Sequence, residues 1–382
     1  MTLSKSLKEP SRVIYVVPDL SIIGAQRIAI DHGLALLASG YEVFWLAGGG
    51  GKFAEEIPAA RLLSFRNDRF GQMPVVGTLS SLWILARKLT DFGPNDLVVG
   101  ISPFLNRFLG ALKKTKILRS KLVLEDHAYP PRSYADEFSK TARFFYQRTE
   151  FLYNAADRIR VLSEESKHYY QQQARLTARV SVFPNLLDVD RIRKLASSHQ
   201  ISASRRTRLV YIGRFVTQKN IGFLLQASAL LSDSIDFELL IIGYGPEEER
   251  LKKMASDLGV DDKVRFLKSS ARNFSWLASA DVFPIASLWE GMVTTIGEAM
   301  SLGVPVVTTD FIAGPRFFLG SHSERGWIVP EADLEKFVAA ILDCLDPDLI
   351  KEKVEASVSF IDENVAIQKN IHKFIDFLEL DK

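Results

Sequence analysis

Short runs of apolar and β-branched residues alternate along the chain with longer segments of helical periodicity. The runs are RVIYVV, EVFWLA, DLVVGI and KLVLED in the first half, and RLVYIG, FELLIIG, KVRFL, DVFPIA and PVVTTD in the second. Strands that are apolar on both faces and are separated by helices are typical of parallel sheets built from βαβ units. The pattern therefore predicts an α/β fold with two Rossmann-like, doubly wound domains.

A chain of 382 residues exceeds the usual size of one hydrophobic core, which predicts two domains. The strand and helix pattern restarts after the polar stretch 199–206, and Pro184-Asn185 interrupts a strand-like run somewhat earlier. We therefore predict a first domain over 1–187 and a second over 188–360. Because doubly wound sheets bind ligands at the carboxyl ends of their strands, we expect a ligand site in a cleft between the two domains.

Composition places the chain among ordinary soluble globular proteins. Hydrophobic residues make up 47% and charged residues 25%, and a formal net charge of +2 argues against nucleic-acid binding. The sequence contains neither an apolar run of about 18 residues for a spanning helix nor the apolar stretch of a signal peptide. The one cysteine, Cys344, cannot form a disulfide within the chain and is predicted to be a buried structural thiol. We expect a cytoplasmic protein.

Two glutamates separated by seven residues flank the start of a predicted helix in the second half. In WEGMVTTIGEAM, Glu290 lies just before the helix and Glu298 two turns into it. A helix that begins near Met292 presents free backbone N–H groups and a positive dipole end, which suits a phosphate. We expect both glutamates to accept hydrogen bonds from ligand hydroxyls. The residues expected to bind the phosphates between them are Gly291, Met292, Val293 and Thr294.

An arginine and a lysine follow the first strand of the second domain. In YIGRFVTQKN, Arg214 comes directly after Gly213 at the end of the strand, and Lys219 stands at the start of the next helix. A guanidinium fork and an ammonium point charge at these positions can converge on one diphosphate. We expect them to stabilise the negative charge that grows on a departing phosphate.

Both motifs resemble those of the retaining glycosyltransferases of family 4, which have the two-domain GT-B architecture. The family's Glu, seven residues, Glu pattern and its following Gly-x-Pro-Val-Val are matched from Glu290 to Val307, and its Gly-Arg, loop, Lys-Asn element is matched within 211–220. The resemblance implies that Glu290 contacts the donor sugar and Glu298 the ribose of a nucleotide sugar. It also implies that a final helix, 361–382, packs back on the first domain.

Further turns of the second half resemble the same family. They are Gly243-Tyr244-Gly245-Pro246, Gly314-Pro315-Arg316 and the segment 326–330. One position departs from the pattern, because Phe317 stands where a glutamate is common after Gly-Pro-Arg. Any role of that carboxylate is therefore absent here or moved to another residue.

The first half resembles the family at two places. Gly24 matches a small residue that lets the backbone approach the donor phosphates and the acceptor, although Ile23 and Gln26 replace the family's Gly and Glu. His127 follows the strand KLVLED, where the family often has a histidine near the donor sugar. A neutral imidazole there could hydrogen-bond to a sugar hydroxyl, and a purely structural histidine is the alternative.

A basic stretch over 107–121 contains no acidic residue. Basic and apolar side chains interleave along it, a pattern that suits anionic lipid headgroups. A solvated basic helix face is the alternative. The basic residues are Arg107, Lys113, Lys114, Lys116, Arg119 and Lys121.

Two other motifs offer competing sites. Asp188-Val189-Asp190 could hold a divalent cation against a diphosphate, but either aspartate is also well placed to cap the helix RIRKLA. The tetraglycine Gly48–Gly51 before Lys52 lacks the first glycine and the Ser or Thr of a P-loop, and we interpret it as a flexible loop. We therefore expect no metal and no cofactor besides the donor.

The sequence as a whole predicts transfer of a hexosyl unit from a nucleotide diphosphate sugar, UDP-linked rather than GDP-linked, to a glycan or lipid-linked acceptor of the cell envelope. Retention at the anomeric carbon is implied by the resemblance alone. The protein is expected in the cytoplasm or at the inner face of its membrane. A subunit that binds sugar nucleotides or acts as a scaffold without turnover is the alternative.

Overall fold

The computed structural model describes residues 12–21, 24–66, 74–131 and 148–380, the side chains of 74–76 excepted. The chain divides into two compact units. Unit 1 holds the chain up to Phe183 and the segment from Ile371 onward, and unit 2 runs from Pro184 to Asn370.

The chain passes between the units at 183/184 and 370/371, where the sequence predicted 187/188 and 360/361. Leu187 forms a parallel bridge with Ala366, and its backbone N–H donates to the carbonyl oxygen of Val365 (2.9 Å). These bonds hold both crossing segments within unit 2. Because the paired residues are distant in sequence, no local pattern predicts the positions of the two crossings.

Unit 1 is built on a seven-stranded parallel sheet of order β3-β2-β1-β4-β5-β6-β7. All five residues of β1 are buried, because helices cover both faces of the sheet. The strands are β1 (Val13–Val17), β2 (Val43–Ala47), β3 (Leu62–Ser64), β4 (Leu97–Gly100), β5 (Lys121–Asp126), β6 (Arg158–Val161) and β7 (Val180–Val182).

The helices of unit 1 cover the two faces of this sheet. Those described between its strands are α1 (Gly24–Ala38), α2 (Pro74–Leu89), α3 (Pro103–Lys114) and α4 (Glu164–His168), with 3-10 turns at Lys52–Glu56, Ala59–Arg61 and Glu150–Ala155 and a π turn at Tyr169–Gln173. Leucines of α2 and α3 share one core cluster with residues of β1, β4 and β5. On the other face, Trp45 of β2 donates to the carbonyl oxygen of Ala29 on α1 (3.2 Å).

Unit 2 contains two three-stranded parallel sheets of order β10-β9-β8 and β11-β12-β13. A bridge between Leu209 and Val282 joins them. The strands are β8 (Thr207–Arg214), β9 (Phe237–Tyr244), β10 (Val264–Leu267), β11 (Phe283–Ile285), β12 (Val306–Thr309) and β13 (Trp327–Val329). The predicted α/β fold with parallel, doubly wound sheets is thereby confirmed.

The remaining helices include two in place of the single final helix predicted over 361–382. The chain leaves the helical conformation at Val365 and Ala366, where it pairs with Leu187. The helices are α5 (Val189–Ala196), α6 (Ile221–Leu231), α7 (Glu248–Asp257), α8 (Asn273–Ala278), α9 (Thr294–Ser301), α10 (Pro315–Leu319), α11 (Leu334–Asp343), α12 (Pro347–Asn364) and α13 (Ile367–Leu378). Across the described ranges, no helix combines the length and apolar character needed to cross a membrane.

Candidate functional site

The carboxyl ends of β8 and β9 approach each other closely in unit 2. Gly213 pairs in register with Gly243, and a Cβ at Gly243 would overlap the carbonyl oxygen of Gly213. A Cβ at Gly213 would in turn overlap the hydroxyl of Tyr211. Glycine is therefore required on both strands, and the next residue of β8, Arg214, is exposed where the strand ends.

Glu290 is surrounded by hydrogen-bond donors. Its Oε1 accepts a hydrogen bond from Ser287 Oγ (2.8 Å) and forms an ion pair with Lys219 Nζ. Its Oε2 accepts from Gln218 Nε2 (3.2 Å). Because Glu290 is buried, these donors take the place of water around the carboxylate.

Gln218 connects the two predicted cations to the glutamate. Its Nε2 donates to the carbonyl oxygen of Trp289 (2.9 Å) as well as to Glu290, and its Oε1 accepts from Arg214 Nη2 (3.3 Å). A glutamine in a loop belongs to no motif, so sequence reasoning missed it. Its position beside Lys219, in a 3-10 turn that ends at Asn220 with a positive φ, is the only local hint of its role.

Tyr211 is a second residue that the sequence did not single out. Its hydroxyl is buried and has no hydrogen-bond partner within the described ranges. Burial raises the pKa of Tyr211 well above its usual value, and the negative charge of Glu290 adds to the rise while Arg214 opposes it. The phenol therefore remains protonated at neutral pH and can donate a hydrogen bond.

Helix α9 begins at Thr294, two residues later than the predicted start at Met292. Trp289 forms a bridge with Ile312, and the N–H of Glu290 donates to the carbonyl oxygen of Ile312 (3.2 Å), which keeps this part of the chain extended. Gly291, Met292 and Val293 form a buried loop before the helix. The side chain of Met292 accepts from the backbone N–H of Asn185 (3.1 Å), so it contributes to packing in unit 2.

Glu298 lies half-buried on α9. Its neighbours Ile296 and Met300 are fully buried in the core of unit 2. Gly303, with a φ of 71°, ends the helix before β12, as the motif predicted. The structure thus brings Arg214, Lys219 and Glu290 into one network, with Glu298 on the helix that follows.

The predicted residues of unit 1 lie at the start of α1 and directly after β5. Gly24 is the exposed first residue of α1, while Ile23 lies outside the described residues. Gln26 is buried with its Nε2 directed at Asp19 Oδ1 (3.5 Å). His127 directly follows β5, and its Nε2 lies 3.0 Å from Glu125 Oε2.

The aspartate motif at the start of α5 acts as a helix cap. Asp188 Oδ1 accepts from the backbone N–H of Arg191 (3.0 Å) and from Gln368 Nε2 (2.6 Å). Among the residues whose structure is described, no group of three or more His, Cys, Asp or Glu side chains has a metal-binding arrangement. The capping interpretation of Asp188 agrees with these contacts.

The basic stretch 107–121 is only partly a surface feature. Arg107 is 2% exposed, and its guanidinium donates to Thr149 Oγ1 (2.9 Å) and to the carbonyl oxygen of Pro103 (2.8 Å), so its assignment to a surface patch is wrong. The buried leucines of the stretch belong to the core of unit 1. Its exposed residues are Lys114, Thr115, Lys116, Ile117, Arg119 and Lys121.

Comparison with known proteins gives consistent similarities for both halves. The family model described as "Glycosyltransferase Family 4" matches residues 22–191, and the one described as "Glycosyl transferases group 1" matches residues 206–347. An uncharacterised glycosyltransferase of Haemophilus influenzae is 22% identical over 92% of this chain and 95% of its own length.

Other relatives match over shorter segments. The chain spans 50% of an uncharacterised glycosyltransferase of Methanocaldococcus jannaschii, at 27% identity over 52% of this chain. It spans 37% of the lipopolysaccharide core biosynthesis glycosyltransferase LpsE of Rhizobium meliloti, at 37% identity over 34% of this chain. Among solved structures, Anabaena HepE in complex with UDP and glucose aligns with a TM-score of 0.79 and 18% identity, covering 97% of this chain and 99% of HepE.

Proposed function

The chain belongs to the glycosyltransferases of family 4, and from that premise we propose that it moves a hexosyl unit from a nucleotide diphosphate sugar to an acceptor hydroxyl. The observation that carries the proposal is the hydrogen-bonded network that joins Arg214, Gln218 and Lys219 to Glu290 beside the carboxyl end of β8. Carboxyl ends of parallel strands are where doubly wound sheets bind their ligands.

Arg214 and Lys219 would bind the diphosphate of the donor. Lys219 has three N–H donors, so it can retain Glu290 while it binds a phosphate oxygen. As the bond between sugar and phosphate breaks, negative charge grows on the departing phosphate. Fixed cations stabilise that charge without having to reorganise, which lowers the barrier of the chemical step.

Glu290 would accept a hydrogen bond from the donor sugar. An ionised carboxylate offers about four acceptor sites. Among the described residues, Ser287 and Lys219 occupy Oε1 and Gln218 occupies one site on Oε2. One site on Oε2 is therefore left for a sugar hydroxyl, while Glu298 would bind the ribose and His127 a second sugar hydroxyl.

The stereochemical course that we propose is retention, on the basis of the family resemblance. The carboxylate of the described network, Glu290, forms an ion pair with Lys219. We therefore do not assign it the role of a covalent nucleophile. We propose front-face attack, in which the acceptor hydroxyl passes its proton to the departing phosphate. Closure over the donor would exclude water from the reaction.

The donor that we propose is a UDP-sugar, since HepE is described in complex with UDP and glucose. The acceptor that we propose is a glycan or lipid-linked glycan of the cell envelope, in line with the lipopolysaccharide role in the name of LpsE. The reaction would take place at the cytoplasmic side of the membrane, with protein cations rather than a metal ion at the diphosphate.

Contact with an anionic membrane is also part of the proposal, through exposed residues of α2 and beside α3 that share Lys114 with the stretch 107–121. Neither α2 nor α3 contains an acidic residue. On α2, Trp83 is 63% exposed and has the guanidinium of Arg87 5.8 Å from its ring centroid. Beside α3, Phe151 is exposed and has Lys114 Nζ 4.8 Å from its ring centroid. Aromatic and basic side chains together favour the interface of an anionic bilayer.

A paired substitution tests this surface. Trp83→Ser with Lys114→Glu should abolish co-sedimentation with phosphatidylglycerol vesicles at low salt. The matched control is Leu349→Ser with Lys351→Glu, which changes an exposed leucine and an exposed lysine of α12 in unit 2. Equal binding by both double variants would remove the membrane proposal and leave the donor site untouched.

A panel of sugar nucleotides tests the activity itself. A ligand at 100 times its dissociation constant adds about 2.7 kcal/mol of stability, so thermal shift identifies the donor. Product formation with an acceptor then separates transfer from hydrolysis. A donor that binds without any turnover, with or without acceptor, would instead support the non-catalytic subunit.

A further inference from the structure

Glu125, Arg160 and His127 form one connected group in unit 1. Glu125 on β5 pairs in register with Arg160 on β6, and Glu125 Oε2 lies 2.9 Å from Arg160 Nη1. His127 Nε2 lies 3.0 Å from the same oxygen of Glu125. The side chains of Glu125 and Arg160 are 1% and 0% exposed, so the ion pair is withdrawn from water.

The charge of Glu125 decides which nitrogen of His127 carries a proton. Burial raises the pKa of Glu125, but the Arg160 guanidinium and the hydrogen bond with His127 outweigh it and lower the pKa to about 2. An ionised carboxylate can only accept hydrogen bonds. His127 Nε2 is therefore the donor of this bond.

The other ring nitrogen of His127 is left as an acceptor. In a neutral imidazole one nitrogen donates and the other accepts, so protonation at Nε2 places the lone pair on Nδ1. His127 Nδ1 is buried and has no hydrogen-bond partner in the described part of the chain. A buried acceptor with no partner among the described residues can accept a hydrogen bond from a hydroxyl group of a ligand.

Arg160 is itself held in place by the two segments at which the chain leaves and re-enters unit 1. Its Nε donates to the carbonyl oxygen of Phe183 (3.1 Å), and its guanidinium lies 5.7 Å and 5.4 Å from the ring centroids of Phe183 and Phe374. Phe183 is the last residue before the first crossing, and Phe374 follows shortly after the second. The guanidinium therefore has a fixed orientation towards Glu125.

We propose that Glu125 and Arg160 are positioning residues, which hold His127 in the tautomer protonated at Nε2 and so make Nδ1 the acceptor for a hydroxyl of the sugar ligand. The inference rests on the sugar contact that the proposed function gives to His127. It adds that the ligand group facing His127 must be a hydrogen-bond donor.

A purely structural ion pair makes a different prediction. Replacing a buried ion pair by neutral residues of similar shape is often neutral or stabilising, whereas removing one partner leaves an uncompensated charge. If the pair served packing alone, a neutral, hydrogen-bonded replacement would preserve both the state of His127 and the activity. If the pair positions His127, the same replacement would disturb both.

The experiment uses nitrogen NMR of the full chain labelled at its six histidines, with His127 assigned by the signal lost in His127→Gln. In the parent we expect a proton on Nε2 and a lone pair on Nδ1. In Glu125→Gln the amide can donate or accept, so the single tautomer should be lost. The double variant Glu125→Gln with Arg160→Gln leaves no unpaired buried charge and should also lose the single tautomer. In both variants kcat should fall about tenfold or more.

Glu150→Gln provides the matched control, because Glu150 is a buried carboxylate of the same unit that accepts from Tyr169 (2.7 Å). It should leave the tautomer and kcat unchanged. A proton on Nδ1 in the parent, or an unchanged tautomer and turnover in both Glu125 variants, would overturn the proposal. Unchanged turnover in His127→Gln would overturn the sugar contact itself, and the tautomer measured in the parent would show that this failure lies in the proposed function.

Discussion

The residues around the proposed diphosphate site would face different parts of a donor. Arg214 is exposed at the end of β8, where charge on a departing phosphate would develop, whereas Glu298 lies half-buried on α9. A group that faces changing charge affects turnover, and a group that holds an unchanging part of the ligand affects affinity. Substitutions at the two positions should therefore have different kinetic signatures.

Arg214→Ala should lower kcat by roughly 10²–10³-fold and raise KM less, because it removes a donor to developing charge. Glu298→Gln should weaken donor binding by about 1.5–3 kcal/mol with little change in kcat, because it removes a charged acceptor for the ribose hydroxyls. Steady-state kinetics with titrated donor separate the two effects. The opposite pattern, a binding defect in Arg214→Ala and a turnover defect in Glu298→Gln, would reverse the assigned roles.

Gln218→Ala should impair turnover although Gln218 belongs to no motif. The substitution removes the donor to Glu290 and the acceptor for Arg214, so both side chains lose orientation. We expect a fall in kcat of about tenfold, by analogy with the residues that orient metal ligands, which contribute about 10–100-fold. Gln226→Ala, at an exposed position of α6, is the control and should behave like the parent. Parental kcat in Gln218→Ala would show that the network does not orient the site.

The sequence predicted the charged members of this site because charges at strand and helix ends stand out from their surroundings. Arg214, Lys219 and Glu290 were singled out in this way and by the family motifs, and the structure joins them in one network, while their roles stay predictions. Gln218 and Tyr211 could not be found, since their roles depend on burial and on partners from distant segments. Polar residues acquire such roles through tertiary packing, which periodicity does not encode.

Helix α9, which follows Glu290 and carries Glu298, is tightly packed in unit 2. A Cβ at Gly297 would lie 2.7 Å from both Leu187 Cδ1 and Phe318 Cε1, so the helix packs there without room for a side chain. Its end at Gly303 was predictable from the glycine. Its start was not, because the bridge between Trp289 and Ile312 extends the chain before Thr294.

Gly297→Ala should destabilise unit 2. Overpacking costs about 1–3 kcal/mol, which exceeds the gain in helix propensity of about 1 kcal/mol. Gly222→Ala on α6 is the matched control, because its Cβ would meet only the flexible side chain of Met254, at 3.3 Å. Thermal unfolding should show a lower midpoint for Gly297→Ala alone. Unfolding midpoints equal to or above that of the parent in both variants would show that α9 can accommodate a side chain at position 297.

Helix α3 shows how an amphipathic pattern can be misassigned. Its basic and apolar residues suited a membrane surface, yet the leucines Leu105, Leu109 and Leu112 pack into the core of unit 1. A helix that covers a parallel sheet has the same periodicity as one that lies on a lipid surface. Only the exposure of Trp83, Phe151 and Lys114 indicates which outer faces are available for lipid.

At the scale of the whole molecule, the ion pair of Glu125 and Arg160 predicts a defined pH dependence. The pKa of Glu125 falls from its usual 4.5 to about 2 in the folded state. A depressed pKa contributes stability that is present above about pH 4.5 and is lost as the pH falls towards 2.

Hydrogen exchange of β5 amides, corrected for intrinsic rates, should show this loss between pH 5 and pH 2 in the parent. The difference in opening free energy between the parent and Glu125→Gln should shrink over the same range. Asp126 and Glu150, whose pKa values are raised, titrate in both proteins, so their contributions to the opening free energy cancel in the comparison. A difference that stays constant with pH would contradict an ionised Glu125.

The sequence predicted two α/β domains because apolar strands and helical periodicity are local signals. The two crossings lie at 183/184 and 370/371 rather than at the predicted 187/188 and 360/361, since Leu187 and Ala366 are brought together only by the fold. The donor, the acceptor and the stereochemistry stay predictions. They depend on contacts with molecules that neither periodicity nor the described network can identify.

The most direct test is the turnover of Glu290→Gln with a sugar nucleotide that the parent has been shown to use. The substitution would keep the shape of the side chain but remove the charge that pairs with Lys219. We predict that the folded variant still binds the donor and that its kcat falls by roughly 10²-fold or more, since the proposed site would place Glu290 beside the reacting sugar. Parental kcat and KM in a correctly folded Glu290→Gln would contradict the placement of sugar transfer at this network.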